Sequence, residues 1–295
     1  MSSAPPPIAR LCVIGVGLIG GSLAQAVRRA GHVGEIVGCG RGTANLERAV
    51  KLGVIDRFET DPVRAVAGAD LVMLAVPLRV MSSLMGVIGP HLDANTVLTD
   101  AGSAKGSVVD AARASLGAQL PRFVPGHPIA GTEKSGVDAA FPELYQGRRV
   151  ILTPLDDTDP DAVEQVAALW RAAGASVSEM AVDHHDEVLA ATSHLPHVLA
   201  YALVDSLSRW SDRDEIFRYA AGGFRDFTRI ASSDPEMWRD ICLANSDALV
   251  AALERYTGDL QQLTNAVRNL DGERLKTAFS NARSARERFL AMLEG

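Results

Sequence analysis

The sequence predicts an open α/β domain over residues 1–180 and an all-α domain over residues 181–295. Three observations carry this. Short, near-continuous apolar runs alternate with helical stretches through the first half, as in a parallel sheet covered on both faces. A turn with GxGxxG spacing follows the first of those runs. Beyond about residue 182 the strand signal stops, and apolar residues recur every three or four positions.

The strands are expected at residues 11–15, 35–39, 70–75, 96–99, 150–153 and 176–180. Helices are expected from the glycine-rich turn to about Ala30, then at residues 44–52, 79–88, 105–116 and 161–173. A further helix over residues 183–207 contains Pro196, which removes a backbone hydrogen bond and predicts a kink. From Trp238 the apolar positions run Cys242, Leu249, Leu253, Tyr256, Leu260, Leu263, Val267 and Leu270. They read as one long amphipathic helix, or two broken near Gly258. Leu275, Ala278, Phe279, Ala282, Phe289, Leu290 and Leu293 repeat the pattern. Such stripes need a cover, and a second copy of the chain is the expected one, against a self-contained bundle.

Composition excludes several classes. Lys and Arg total 29 against 36 Asp and Glu, for a net charge of −7, which argues against a nucleic-acid surface. No apolar run approaches membrane-spanning length. Residues 1–7 lack the pattern of a secretion leader. Cys12, Cys39 and Cys242 form neither a disulfide framework nor a metal spacing, so a reduced, cytoplasmic protein is expected.

Gly15-Val16-Gly17-Leu18-Ile19-Gly20 ends the first strand and opens the first helix. Gly15 permits the tight turn, Gly17 lets backbone approach a pyrophosphate, and Gly20 lets helix pack on strand. Leu18 and Ile19 open the helix whose N-terminus faces the phosphates. This makes the first domain a Rossmann-type dinucleotide site, with Val76, just past the third apolar run, among the cofactor residues. An acid is expected after the second strand to bind the ribose 2′-hydroxyl. Here the chain reads Cys39-Gly40-Arg41-Gly42-Thr43. With the carboxylate absent, Arg41 is placed to bind a 2′-phosphate, with Thr43 beside it. NADP is therefore preferred over NAD; the competing reading makes Arg41 a solvated loop charge, with either cofactor accepted.

Four polar clusters are candidates for chemistry. Asp100-Ala101-Gly102-Ser103-Ala104-Lys105 follows a buried strand at the end where ligands of an open sheet sit; Ser103 reads as an active-site hydroxyl or as a helix cap. Gly126-His127-Pro128 holds one histidine in a constrained loop, suited to a general base or to a structural role. Ser193 and His197 lie four apart on one helix face. His184-His185-Asp186-Glu187 reads as a solvated helix end, with metal binding disfavoured for want of ligand spacing. Between helices, Arg225 and Arg229 could bind a carboxylate or pair with Asp226 or Asp234.

Taken together, these motifs resemble the prephenate/arogenate dehydrogenase family of tyrosine biosynthesis. The resemblance rests on the GVGLIGGS turn, on Asp100 to Lys105, on Gly126-His127-Pro128-Ile129-Ala130-Gly131-Thr132-Glu133, on Ser193-His194-Leu195-Pro196-His197, and on Thr228-Arg229-Ile230-Ala231 leading to Met237-Trp238. It implies NAD(P)-dependent oxidative decarboxylation of a cyclohexadienyl acid by a homodimer. His127 would accept the proton of the ring hydroxyl while hydride leaves the same carbon for the nicotinamide. Carbon dioxide departs and the ring becomes aromatic. Ser103 would bond His127 or the hydroxyl, and Ser193, His197, Arg229 and Trp238 would line the substrate pocket. Members with a regulatory module extend further, so tyrosine as an inhibitor would act at the active site. Prephenate and arogenate are not distinguished. The alternatives are another NADP-dependent dehydrogenase of small hydroxy acids, which needs a helix lysine absent between Ser193 and Lys276, and an NADP-binding redox sensor.

Overall fold

The computed structural model describes residues 7–132 and 134–294. The expectations for residues 1–6, for Glu133 and for the side chain of Leu293 lie outside what it describes. Six strands form one sheet: β1 (Ile8–Ile14), β2 (Val33–Cys39), β3 (Arg57–Glu59), β4 (Leu71–Leu74), β5 (Val97–Asp100) and β6 (Phe123–Val124). Their order is β3-β2-β1-β4-β5-β6, and every pair is parallel. The order reverses between β1 and β4, the point where ligands bind in open sheets. α1 (Leu18–Arg29), α2 (Thr43–Lys51), α3 (Pro62–Val66), α4 (Leu78–Ile88) and α5 (Gly106–Ser115) supply the crossovers.

Burial on both faces is visible within β1. Leu11 and Val13 join one apolar cluster, with Leu23, Val27 and Trp170, while Cys12 and Ile14 join the other, with Met81, Met85 and Val108. Alternate residues of a strand point to opposite faces, so a strand apolar at every position must be covered twice.

After β6 the chain leaves this sheet. β7 (Gly126–Pro128), β8 (Arg149–Leu152) and β9 (Ser176–Glu179) form a second sheet, with β7 antiparallel to β8 and β8 parallel to β9. α6 (Pro160–Ala172) links the last two strands. The sequence reading put residues 150–153 and 176–180 in the parallel sheet, which the structure corrects. It also assigned no element to β3, β6, β7 or α3, each too short to show a period.

The remaining elements are helical: α7 (Val182–Leu189), α8 (Leu195–Ser208), α9 (Arg213–Arg218), α10 (Gly222–Thr228), α11 (Pro235–Ala244), α12 (Ser246–Arg268) and α13 (Gly272–Glu294). The expected single helix over residues 183–207 is α7 and α8 joined by a π turn, Ala190–His194. Pro196 sits in the first turn of α8, where its missing N–H costs nothing. Neither reading of the stretch from Trp238 holds as stated: the helix is not single, and its break falls at Asn245 rather than near Gly258. The chain divides into two compact units, Met1–Ser246 and Asp247–Gly295. In the second, α12 and α13 are joined by a short turn and linked by Arg274 donating to Gln262 at 2.8 Å.

Candidate active site

The glycine turn lies at the ends of β1 and β4. Gly15 has φ +100°, and a Cβ there would stand 2.2 Å from the Ala75 carbonyl oxygen, so only glycine fits. A Cβ on Gly20 would stand 2.3 Å from the Gly15 oxygen and 2.8 Å from Val13 Cγ1, which explains the close packing of helix on strand. Gly17 differs: a Cβ there meets nothing within 4 Å. It caps α1 without a side-chain bond, and the first turn carries no acid. The N–H groups of Leu18, Ile19 and Gly20 are therefore presented at an open helix end of positive dipole. That open cradle fits a pyrophosphate. Val76 Cγ1 lies 3.1 Å from where a Gly15 Cβ would stand, so it borders the same turn. Asn45, which the sequence reading passed over, fixes the turn by donating to the Val16 carbonyl at 2.7 Å.

Arg41 is exposed between β2 and α2, Gly42 is the helix cap, and Thr43, also exposed, opens α2. Gly40 before them has no steric need to be glycine, since its nearest neighbour to a Cβ is Leu46 at 3.7 Å.

Asp100 ends β5 fully buried, and its carboxylate accepts from Gly102 N at 2.7 Å and Gly126 N at 3.1 Å. Lys105 is equally buried. Its Nζ donates to the Asp100 carboxylate and, at 2.7 Å, to the Gly126 carbonyl. This cross-link ties the β5–α5 loop to β7, one residue before His127. Burial pushes the Lys105 ammonium below its usual pKa, and Asp100 opposes that. Ser103 lies half-buried in this loop. It is not the cap of α5, which starts after Lys105 without a side-chain cap of its own.

The cap comes from α7. Asp186 Oδ1 and Oδ2 accept from the backbone N–H groups of Lys105 and Gly106, each at 2.8 Å. Oδ1 also accepts from His185 Nδ1 at 2.8 Å. His185 Nε2 in turn meets His127 Nδ1 at 2.9 Å. His127, on β7, is 8% exposed, while His185 is fully buried. The reading of residues 184–187 as a solvated helix end thus holds for His184 and Glu187 and fails for His185 and Asp186. Among the described residues no hydrogen bond joins Ser103 to His127, whose bonded ring nitrogen goes to His185.

Burial, then the charge of Lys105, then His185 and His194, hold the His127 imidazole well below its usual pKa. It is therefore neutral and able to accept a proton. Burial alone would raise Asp186, but hydrogen bonds from His185, Lys105 and Gly106 hold it below the usual carboxylate range.

The π turn and α8 supply the next wall. His197 donates from Nδ1 to the Ser193 carbonyl at 2.8 Å and stacks on Trp238 at 3.6 Å and 19° between planes. Burial lowers its pKa, and the nearby Arg229 charge lowers it further. Arg229 opens the 3₁₀ turn Arg229–Ser232. Ser193 is half-buried and Trp238 is 8% exposed. Arg225, by contrast, is exposed and lies 3.7 Å from Asp226, as its alternative reading held. Asn245 donates to the Asp186 carbonyl at 2.9 Å and to His194 Nδ1 at 3.1 Å, joining α11 to α7 and the π turn. No group of three metal-ligand side chains occurs among the described residues. No helix of the described residues is long and apolar enough to cross a membrane.

Residues 23–179 match the family model described as the prephenate dehydrogenase nucleotide-binding domain, and residues 181–281 match its dimerization domain. The chain belongs to the prephenate dehydrogenase family. It is 39% identical over 278 residues to a cyclohexadienyl dehydrogenase of Zymomonas mobilis, covering 94% of each chain. It is similar to a solved prephenate dehydrogenase of A. aeolicus in complex with hydroxyphenyl propionate and NAD+, with a TM-score of 0.89, 38% identity, and 95% and 98% of the two chains covered. A Synechocystis arogenate dehydrogenase gives a TM-score of 0.80 at 28% identity, covering 95% and 99%. A pyridine-nucleotide cofactor and a small-molecule substrate come with the family; nothing favours a dehydrogenase of small hydroxy acids.

Proposed function

We propose that this protein catalyses NAD(P)-dependent oxidative decarboxylation of prephenate, arogenate or both. The observation that carries the reading is His127: a neutral, buried histidine backed by His185 and Asp186, beside the loop of Ser103 and within the fold that bears the nucleotide turn. His127 Nε2 takes the proton of the ring hydroxyl. A nicotinamide held at the glycine turn would supply the acceptor for the hydride on the carbon bearing that hydroxyl. The ring carboxylate leaves as carbon dioxide, and its electron pair flows through the ring to the oxygen. That oxygen recovers the proton from His127, so no net proton is released. Aromatisation drives the step, and the residues' task is to position and polarise.

Ser103 orients the hydroxyl, Ser193 and His197 line the ring pocket, Trp238 covers it, and Arg229 holds a substrate carboxylate. Gly15, Gly17, Leu18, Ile19, Gly20, Val76 and Thr43 surround the cofactor. The missing acid at Gly40 and the exposed Arg41 favour NADP over NAD. Tyrosine, where it inhibits, competes with substrate. The working division is residues 1–180 for the cofactor and residues 181–295 for substrate and dimerisation, and three unpaired thiols suit a reducing cytoplasm.

The test is initial rates of reduced-cofactor formation with prephenate and with arogenate, each with NADP and NAD. Turnover of at least one substrate is expected, with higher kcat/KM for NADP. No turnover of either by folded protein that still binds NADP overturns the reaction. Equal or better use of NAD overturns only the cofactor preference.

A further inference from the structure

Behind the base, three groups stand in line: His127 Nδ1 at 2.9 Å from His185 Nε2, and His185 Nδ1 at 2.8 Å from Asp186 Oδ1. The first two sit on different elements, the strand β7 and the helix α7, and both are buried. The proton positions follow from elementary chemistry. An ionised carboxylate only accepts, so His185 Nδ1 carries a proton. A neutral His185 then has its lone pair on Nε2, and His127 must donate from Nδ1. The lone pair of His127 is left on Nε2, at the far side of the ring from His185. Were His185 protonated instead, its Nε2 would donate, and His127 would hold its proton on Nε2, the wrong tautomer for a base.

We propose that His185 and Asp186 are positioning residues that fix the Nδ1–H tautomer of His127 and share the proton that His127 takes from the substrate. The inference rests on the proposed dehydrogenase reading for its kinetic consequence, though the tautomer stands without it. When His127 Nε2 gains the hydroxyl proton, its Nδ1 proton moves along the hydrogen bond to His185 Nε2. His185 becomes an imidazolium paired with the Asp186 carboxylate. When carbon dioxide has left, the same shift reverses, His127 Nδ1 regains its proton and Nε2 returns one to the phenolate oxygen. Every proton is accounted for, and no further reactant is needed.

Asp186 does a second job that makes the arrangement rigid. Its two oxygens hold the first N–H groups of α5, at Lys105 and Gly106. The helix that carries the Ser103 loop and the relay that orients His127 thus share one carboxylate. The charged or titratable groups facing the histidine pair are Lys105 and Asp100 from the β5–α5 segment, Asp186 on α7 and His194 on the π turn.

The experiment uses the full chain with NADP bound, labelled with ¹⁵N in its histidine rings, the His127 signals being identified by their loss in His127→Gln. The expected wild-type spectrum shows His127 protonated at Nδ1 and bare at Nε2. In His185→Phe the acceptor is gone, and the spectrum shifts toward the Nε2–H form or a mixture. Its kcat falls ~10²-fold or more with KM nearly unchanged, the scale of losing an oriented base. His185→Gln offers an amide oxygen to Nδ1 but cannot take the proton, and it recovers at least about tenfold of that loss. A wild-type His127 protonated at Nε2 overturns the proposal whatever the kinetics. So does a folded His185→Phe whose kcat stays within about threefold of wild type. If His185→Phe does not fold, the wild-type tautomer and His185→Gln decide. If wild type turns over neither acid, the reaction assignment and the proton sharing fail with it, and the spectra still decide the tautomer.

Discussion

Lys105 and Asp100 are a fully buried ion pair, and each has a second partner: the Gly126 carbonyl for the ammonium, backbone N–H groups for the carboxylate. A buried charge is tolerable only with such company. Replacing Lys105 by Met keeps the volume and strands the carboxylate. The expected loss of stability is ~3 kcal/mol or more, the usual cost of breaking one side of a buried pair. Urea unfolding at neutral pH measures it, and a loss below about 1 kcal/mol would show that water or a neighbour compensates. At this scale the sequence was partly legible. Gly15 and Gly20 are readable because each answers to a backbone requirement that spacing records, while Gly17 leaves the space beside the turn open. His127 stands out because two constrained neighbours frame it. His185 and Asp186 do not stand out: adjacent residues on a helix face different ways, and only the approach of α7 to β7 and α5 gives them partners.

Between α7 and α8 the π turn places His194 where no water reaches it. Asn245 donates to its Nδ1, so the ring proton is on Nε2, turned toward the Ser103 backbone. A second proton would break the Asn245 bond and bury a charge. Burial accordingly pushes the His194 pKa from 6.5 down to about 4. The sign follows from linkage. The unfolded chain takes up this proton first as pH falls, so the stability that neutral His194 contributes is complete above pH 6.5 and is lost on the way to pH 4. His127, also depressed, acts in the same direction. Thermal melts at pH 7, 6 and 5 should show a falling Tm, and His194→Asn should make the slope shallower. An unchanged slope would assign the acid sensitivity elsewhere. The turn itself was legible only as a kink, because Pro196 marks where a helix cannot continue but not how the chain absorbs it. β6 and β7, two and three residues long, left no period to read, yet β7 carries the base.

For the whole molecule, the question is what covers the second compact unit. α13 runs for 23 residues and buries no described side chain, while α12 buries only Leu249 and Ala266. Phe279 is 61% exposed, Val267 60% and Leu270 90%. Helices in water gain most of their stability by burying an apolar face, and a monomer rarely leaves so many large side chains in solvent. The apolar spacing from Leu249 onward recorded this stripe in the sequence, but spacing cannot say whether a bundle or a second copy meets it. The exposure of the stripe and the match of residues 181–281 to a dimerization domain favour the second copy. Light scattering after gel filtration should give a dimer of the full chain at micromolar concentration. Phe279→Glu places a charge in the middle of the exposed stripe and should shift the population to monomer, with a lower Tm that depends less on protein concentration. A monomeric wild type would mean that the two long helices find their cover elsewhere, and a Phe279→Glu variant as dimeric as wild type would put the seam away from Phe279.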